Sequence, residues 1–218
     1  HVAPDGGCAE TILVSAMTGE ELLILALPVE QCQIERYRLL DGSRASSLVL
    51  DDLEITEAMI LCRGETAKQA LNRWFDYLCA LDCARMYGAA SQVFNHTLEY
   101  ARTRKQFGTA IGSFQVIQHY LVDMFIDLQQ LESMLLMVLV KAESEKESER
   151  MLATSVAKAY YASQAVRLAQ QGIQIHGGVG VTEELNIGHY FRQITHCSLN
   201  HGNRDYHLSR FIEAQAAV

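Results

Sequence analysis

Residues 100–115 read YARTRKQFGTAIGSFQ. Three cations, Arg102, Arg104 and Lys105, close a long stretch of helical periodicity, and Gly108 and Gly112 follow them. Cations in a last helical turn face the negative end of the helix dipole, and glycine is the common residue just past a helix end. Capping alone therefore accounts for Arg102 and Lys105. The turn also carries the guanidinium fork of Arg104, the amide of Gln106 and the ring of Phe107. Those groups suit a pyrophosphate and a flat ring, because arginine binds phosphate oxygens two at a time.

A second stretch, QIHGGVG at 174–180, strengthens that reading. Gly177 and Gly178 remove two side chains in succession, so bare backbone can approach a ligand and aim N–H groups at an anion. An isolated glycine pair is more simply a helix C-cap. Beside RKQFG the balance moves to cofactor contact.

Working outward, the helical period runs upstream through residues 67–100, with Ala70, Leu71, Trp74, Leu78 and Leu81 on one stripe and Met86, Ala89, Ala90, Val93 and Leu98 after it. Gly88 inside this helix suggests close packing or a bend. Downstream, helices are expected at 114–142 and 150–174. A charged connector, ESEKESE, separates these two and reads as a solvated turn. Shorter helices are expected at 183–193 and 194–214. Before residue 63 the pattern is that of strands: 10–17 and 22–29 around Thr18-Gly19-Glu20, then 34–40, a turn at Asp41-Gly42, and 47–55. Four strands need something to pack on. The expectation is an α+β chain: 1–62 the C-terminal part of a β-domain, 63–218 an antiparallel helical bundle.

The chain has 218 residues, 49% apolar and 20% charged, which fits a sizeable globular core. A net charge of −8 with no basic patch argues against nucleic acid. The longest apolar run, around 134–140, is far short of a membrane span of roughly 20 residues. No signal peptide is visible, and a cytoplasmic setting is expected. The chain starts at His1 rather than Met, which leads us to expect a longer protein. Six cysteines form no CxxC pair and read as reduced thiols. His196, His201 and His207 stand five and six apart, spacings that do not share a helix face, so no metal is expected.

RKQFG followed by FQ, and QIHGGVG running into TEELNIGHYFRQI, resemble the C-terminal half of the acyl-CoA dehydrogenase family. The resemblance covers roughly residues 65–211. It implies FAD, with Arg104, Gln106, Phe107, Phe114, Gln115, Gln174, Gly177 and Gly178 holding the adenosine and pyrophosphate of a flavin bound by a neighbouring subunit. The LDCAR stretch at 81–85 resembles the segment that touches CoA, and Asp82 and Arg85 match residues there. An i, i+3 ion pair between those two is the plain alternative.

The reaction the resemblance implies is α,β-desaturation of an acyl-CoA, which needs a carboxylate base. The family places that glutamate at one of two positions. They are occupied here by Ala84 and by His201, nine residues after Arg192. Asn203 and Asp205 also depart from the family pattern. Elements serving a neighbour's flavin are kept and elements serving the chain's own site are changed. That pattern implies one subunit of a heteromeric acyl-CoA dehydrogenase, a dimer of heterodimers with a homologous subunit, acting on a bulky thioester such as a steroid side-chain CoA. Two alternatives stay open: a homo-oligomeric enzyme with His201 as base, since imidazole accepts protons at neutral pH, and a non-catalytic helical interaction subunit.

Overall fold

The computed structural model describes residues 2–4 and 6–216. The chain falls into two compact units, His1–Trp74 and Phe75–Val218.

The first unit holds two three-stranded antiparallel sheets. One has β1 (Val2–Pro4), β5 (Arg44–Val49) and β4 (Gln33–Arg38) in that order. The other has β2 (Thr11–Thr18), β3 (Glu21–Pro28) and β6 (Ile60–Arg63). The expected hairpin forms, with Thr18 opposite Glu21 and Gly19 at φ 61° in the tight turn. Alternation does the rest: Leu23, Leu25 and Leu27 point to one face of β3 and are buried. The strand expected over 47–55 stops at Val49, because Asp51 and Asp52 turn the chain, Asp52 with φ 54°. The short strands β1 and β6 were not expected. β6 finds its partner in β3, where Leu23 pairs with Arg63.

α1 (Gly64–Thr103) is a 40-residue helix. Its buried stripe is Cys79, Ala80, Cys83, Met86, Ala89, Ala90 and Val93, whereas Trp74 and Leu81, placed on one apolar stripe by their spacing, are more than half exposed. The stripe is therefore rotated and built from smaller side chains. Gly88 faces open space, so close packing does not explain it. A short hairpin follows, β7 (Lys105–Gln106) and β8 (Thr109–Ala110), then α2 (Gln115–Ala142) and α3 (Glu147–His176). α3 begins inside the acidic connector, where Glu147 and Glu149 in its first turn suit the positive end of the dipole. It is the central helix and packs on α2, α4 (Ile187–Leu199) and α5 (Arg204–Ala216). Gly172 lets α3 close on α1: a Cβ there would lie 2.5 Å from Val93 Cγ1.

The break expected at 193/194 lies instead at 200–203. Ile194 and Cys197 are fully buried, so α4 runs on to Leu199. His201 and Gly202, at φ 51° and 97°, then reverse the chain.

Candidate functional site

At the end of α1 the chain makes a strained turn. The Arg104 N–H donates to the Tyr100 carbonyl at 2.8 Å, and Ile111 N–H donates back to the Arg104 carbonyl at 2.8 Å. Between them β7 and β8 pair Gln106 with Thr109, which leaves Phe107 and Gly108 as a two-residue loop. Both have positive φ, 52° and 83°. A two-residue hairpin asks for that geometry, and glycine or asparagine adopts it far more readily than phenylalanine. The Phe107 ring is 93% exposed, and its one ring contact among the described residues is edge-on to Phe114 at 6.2 Å. A bulky apolar residue held strained and outward points to a function rather than to packing. Gly112 seats this turn on α1, since a Cβ would come 2.9 Å from the Ala101 carbonyl oxygen. Arg104, Gln106 and Gln115 are exposed and Phe114 is half-buried. Among the described residues the Arg104 guanidinium makes no hydrogen bond or ion pair.

The second loop sits beside the first. α3 ends at His176, and Gly177, at φ 65°, sends its N–H back to the carbonyls of Ile173 and Gln174. The His176 ring stacks on Tyr100 with centroids 4.3 Å apart, and the Tyr100 hydroxyl donates to the His176 carbonyl at 3.4 Å. The two stretches singled out in the sequence are thus joined through Tyr100 and His176. A Cβ on Gly177 or Gly178 would meet nothing within 4 Å, so these glycines border open space. Exposed Gln174 borders two cavities. One of about 250 Å³ is lined also by Tyr120, Arg167 and Gln170, and one of about 360 Å³ by Val181, Phe191 and Arg192. Gln171 lines the smaller cavity, and its buried Oε1 has no partner.

The family description "Acyl-CoA dehydrogenase, C-terminal domain" matches residues 68–215. The chain belongs to the acyl-CoA dehydrogenase family. It is 28% identical over 216 residues to a probable acyl-CoA dehydrogenase, YngJ, of Bacillus subtilis, covering 90% of this chain and 54% of that protein. Among solved structures it resembles a steroid acyl-CoA dehydrogenase, the Tcur3481–Tcur3483 G363A variant, with TM-score 0.84 and 25% identity over 99% of this chain and 58% of that one. It shares its fold with the ChsE4–ChsE5 complex from Mycobacterium tuberculosis, with TM-score 0.88, 22% identity, and coverage of 99% and 58%. The chain therefore spans about half the length of the relatives it matches.

FAD is the family's cofactor, and the residues present fit it. The unspent guanidinium of Arg104, the exposed amides of Gln115 and Gln174 and the open backbone at 177–178 are a donor set for phosphate and ribose oxygens.

The two positions at which the sequence led us to look for a base carry other groups. Ala84 is a half-buried α1 residue with no titratable group. His201 lies in the 200–203 turn, and its Nδ1 is 2.8 Å from Asp82 Oδ2. Asp82, expected at CoA, is buried and lies 3.7 Å from the Lys158 ammonium as well. Arg85 is exposed on α1. Lys158 is itself fully buried and donates to the carbonyls of Cys197 (2.7 Å), Asn200 (2.6 Å) and Gly202 (3.3 Å). A cation there satisfies the orphan carbonyls at the end of α4 and suits its dipole.

His207 on α5 donates from Nε2 to the His201 carbonyl at 2.9 Å, and burial holds its pKa down to about 4. Burial likewise pushes the neighbouring Cys79 thiol up to about 12, so it is inert. No group of three His, Cys, Asp or Glu converges as a metal site among the described residues.

Phe75 and Asp76 escaped the sequence reading. Phe75 packs against His201, Tyr206, His207 and the Arg210 guanidinium. Buried Asp76 accepts from Arg210 at 2.7 Å and Thr154 at 2.9 Å. The signal was present: Asp76, Asp82 and Lys158 are single charges on otherwise apolar helix faces, where a charge survives only if paired.

Proposed function

We propose that this chain is one subunit of an FAD-dependent acyl-CoA dehydrogenase that desaturates an acyl-CoA between its α and β carbons. Its part is to hold the adenosine and pyrophosphate of an FAD whose site lies mainly in a homologous chain. The observation that carries this reading is the unspent Arg104 guanidinium, exposed on a strained hairpin and tied through Tyr100 and His176 to the open Gly177–Gly178 backbone. Gln106, Phe107, Phe114, Gln115 and Gln174 complete the set, the two rings covering a flat face and the amides meeting ribose or phosphate oxygens.

When bound, FAD supplies the hydride acceptor. The carboxylate base of that site belongs to the homologous chain, since Ala84 and His201 stand at this chain's two positions for it. Arg85, exposed on α1, is the residue of the LDCAR stretch that would meet the phosphates of CoA, whereas Asp82 is committed to His201 and Lys158. A bulky thioester such as a steroid side-chain CoA is the substrate class favoured by the likeness to a steroid acyl-CoA dehydrogenase. The assembly is a dimer of heterodimers.

Purification of the chain alone and with its homologous chain tests this. The pair is expected to retain FAD and turn over, and Arg104→Ala in the pair to lose most of its FAD. Full FAD content and turnover by the isolated chain would refute the shared site.

A further inference from the structure

One face of α2 is left uncovered among the described residues. The helix turns Met124, Leu131 and Val138 into its own bundle, where all three are fully buried. Its opposite face carries Val122, Ile126, Leu136 and Val140, which are 47–73% exposed, with exposed Gln129 and Ser133 between them. These six positions are spaced alternately by four and three residues, the period of a coiled-coil seam. None of the six is charged, although a helix face meant for solvent carries charged and polar side chains. The stripe is about 27 Å long at 1.5 Å per residue. A shallow groove of about 590 Å³ lies along its middle, bordered by Phe125, Ile126, Gln129 and Ser133 of α2 and by Tyr160 of α3.

The stripe is its own complement. Beside a second, antiparallel α2, with the two-fold axis level with Leu131, Val122 faces Val140, Ile126 faces Leu136 and Gln129 faces Ser133. Each layer then occurs twice, once on either side of the axis, as an isologous contact requires. The polar layers fall at the centre, and a polar layer inside an apolar seam fixes the register of the pair. One turn further out at each end, exposed His119 faces exposed Glu143, an imidazole opposite a carboxylate. The charges that flank the seam do not oppose the pairing. Asp123 stands across from apolar Leu139, Glu132 lies by the Tyr87 hydroxyl of its own chain, and Lys141 is paired with Glu149 at 3.0 Å. A different surface would have to reproduce this spacing in reverse, whereas a second copy of the chain carries it already.

We propose that α2 is the element through which two copies of this chain pair, antiparallel and about a two-fold axis level with Leu131. The inference rests on the dimer-of-heterodimers reading above and deepens it: the two heterodimers meet through this chain rather than through its homologue.

The test uses the chain purified with its homologous chain, and sedimentation reads the mass of the assembly. Ile126→Glu and Leu136→Lys are each expected to halve that mass, because each sets a charge into an apolar layer. The double variant Ile126→Glu/Leu136→Lys is expected to restore it, since every glutamate then faces a lysine of the other copy. Ile126→Cys/Leu136→Cys adds no charge and reads the same contact without any risk to folding from a charge. On oxidation it is expected to yield a 126–136 disulfide, which must join two copies because the two positions lie about 15 Å apart along one helix. An unchanged mass in Ile126→Glu, a mass that stays halved in the double variant, or no 126–136 linkage in particles of full mass overturns the inference. FAD content of the same samples separates the two claims. An assembly without FAD that halves with Ile126→Glu and recovers in the double variant keeps this inference and sinks the flavin reading. One that holds FAD and keeps its mass in Ile126→Glu does the reverse.

Discussion

The ammonium of Lys158 lies 2.6 Å from the carbonyl oxygen of Asn200, linking the middle of α3 to the residue that caps α4. Lys158→Met keeps the apolar stem and removes the charge. Three carbonyls then lose their donor and Asp82 loses its cation. Breaking a buried pair of this kind costs about 3–5 kcal/mol. Denaturant unfolding of the assembled protein is expected to reveal it as a lower midpoint, and a loss below about 1 kcal/mol would contradict the burial described.

Acid sensitivity follows from His207. Burial is the main cause of its depressed pKa of about 4, helped by the charges of Lys158 and Arg210 and opposed by its bond to the His201 carbonyl and by Asp82. The unfolded chain takes up this proton near pH 6.5 and the folded one does not. The contribution is thus complete above about pH 6.5 and is lost as pH falls toward 4, roughly 3 kcal/mol in all. Thermal unfolding across that window is expected to be less steep in pH for His207→Gln than for wild type.

The twin glycines separate stability from binding. Gly177 has φ 65°, so an alanine there meets backbone strain of about 1–2 kcal/mol, while Gly178 does not have positive φ. Neither Cβ would meet protein atoms. Gly177→Ala is expected to lower the melting temperature, and Gly178→Ala to leave it within a degree or so. Both are expected to weaken FAD retention, because each puts a methyl group on the open side of the loop.

Phe107 is the converse case. Asparagine suits its position in the two-residue turn better than phenylalanine does. Phe107→Asn is expected to leave stability unchanged or raise it by up to about 1 kcal/mol, while FAD dissociates faster from the assembly. A stability loss instead would mean that the ring packs within the chain after all.

Much of this was readable from the residues alone. The three long helices and the hairpin at Gly19 follow from apolar spacing and turn chemistry, and the cationic turn and twin glycines were visible as motifs. The 200–203 reversal was not, because nothing in LNHGN announces that a histidine will take positive φ beside Gly202. The rotated stripe on α1 was missed for a related reason: Trp74 and Leu81 look like core residues by hydrophobicity, but the close approach of α3 at Gly172 favours small side chains such as Ala89 and Ala90. The Asp82–His201 contact joins residues 119 apart in sequence. No local pattern carries that information.

The buried anion at position 82 also limits what residue 201 can become. Installing glutamate there would set two carboxylates face to face beside the buried Lys158 ammonium, and like charges that close resist ionising together. A carboxylate at 201 is therefore compatible with this fold only if position 82 gives up its own.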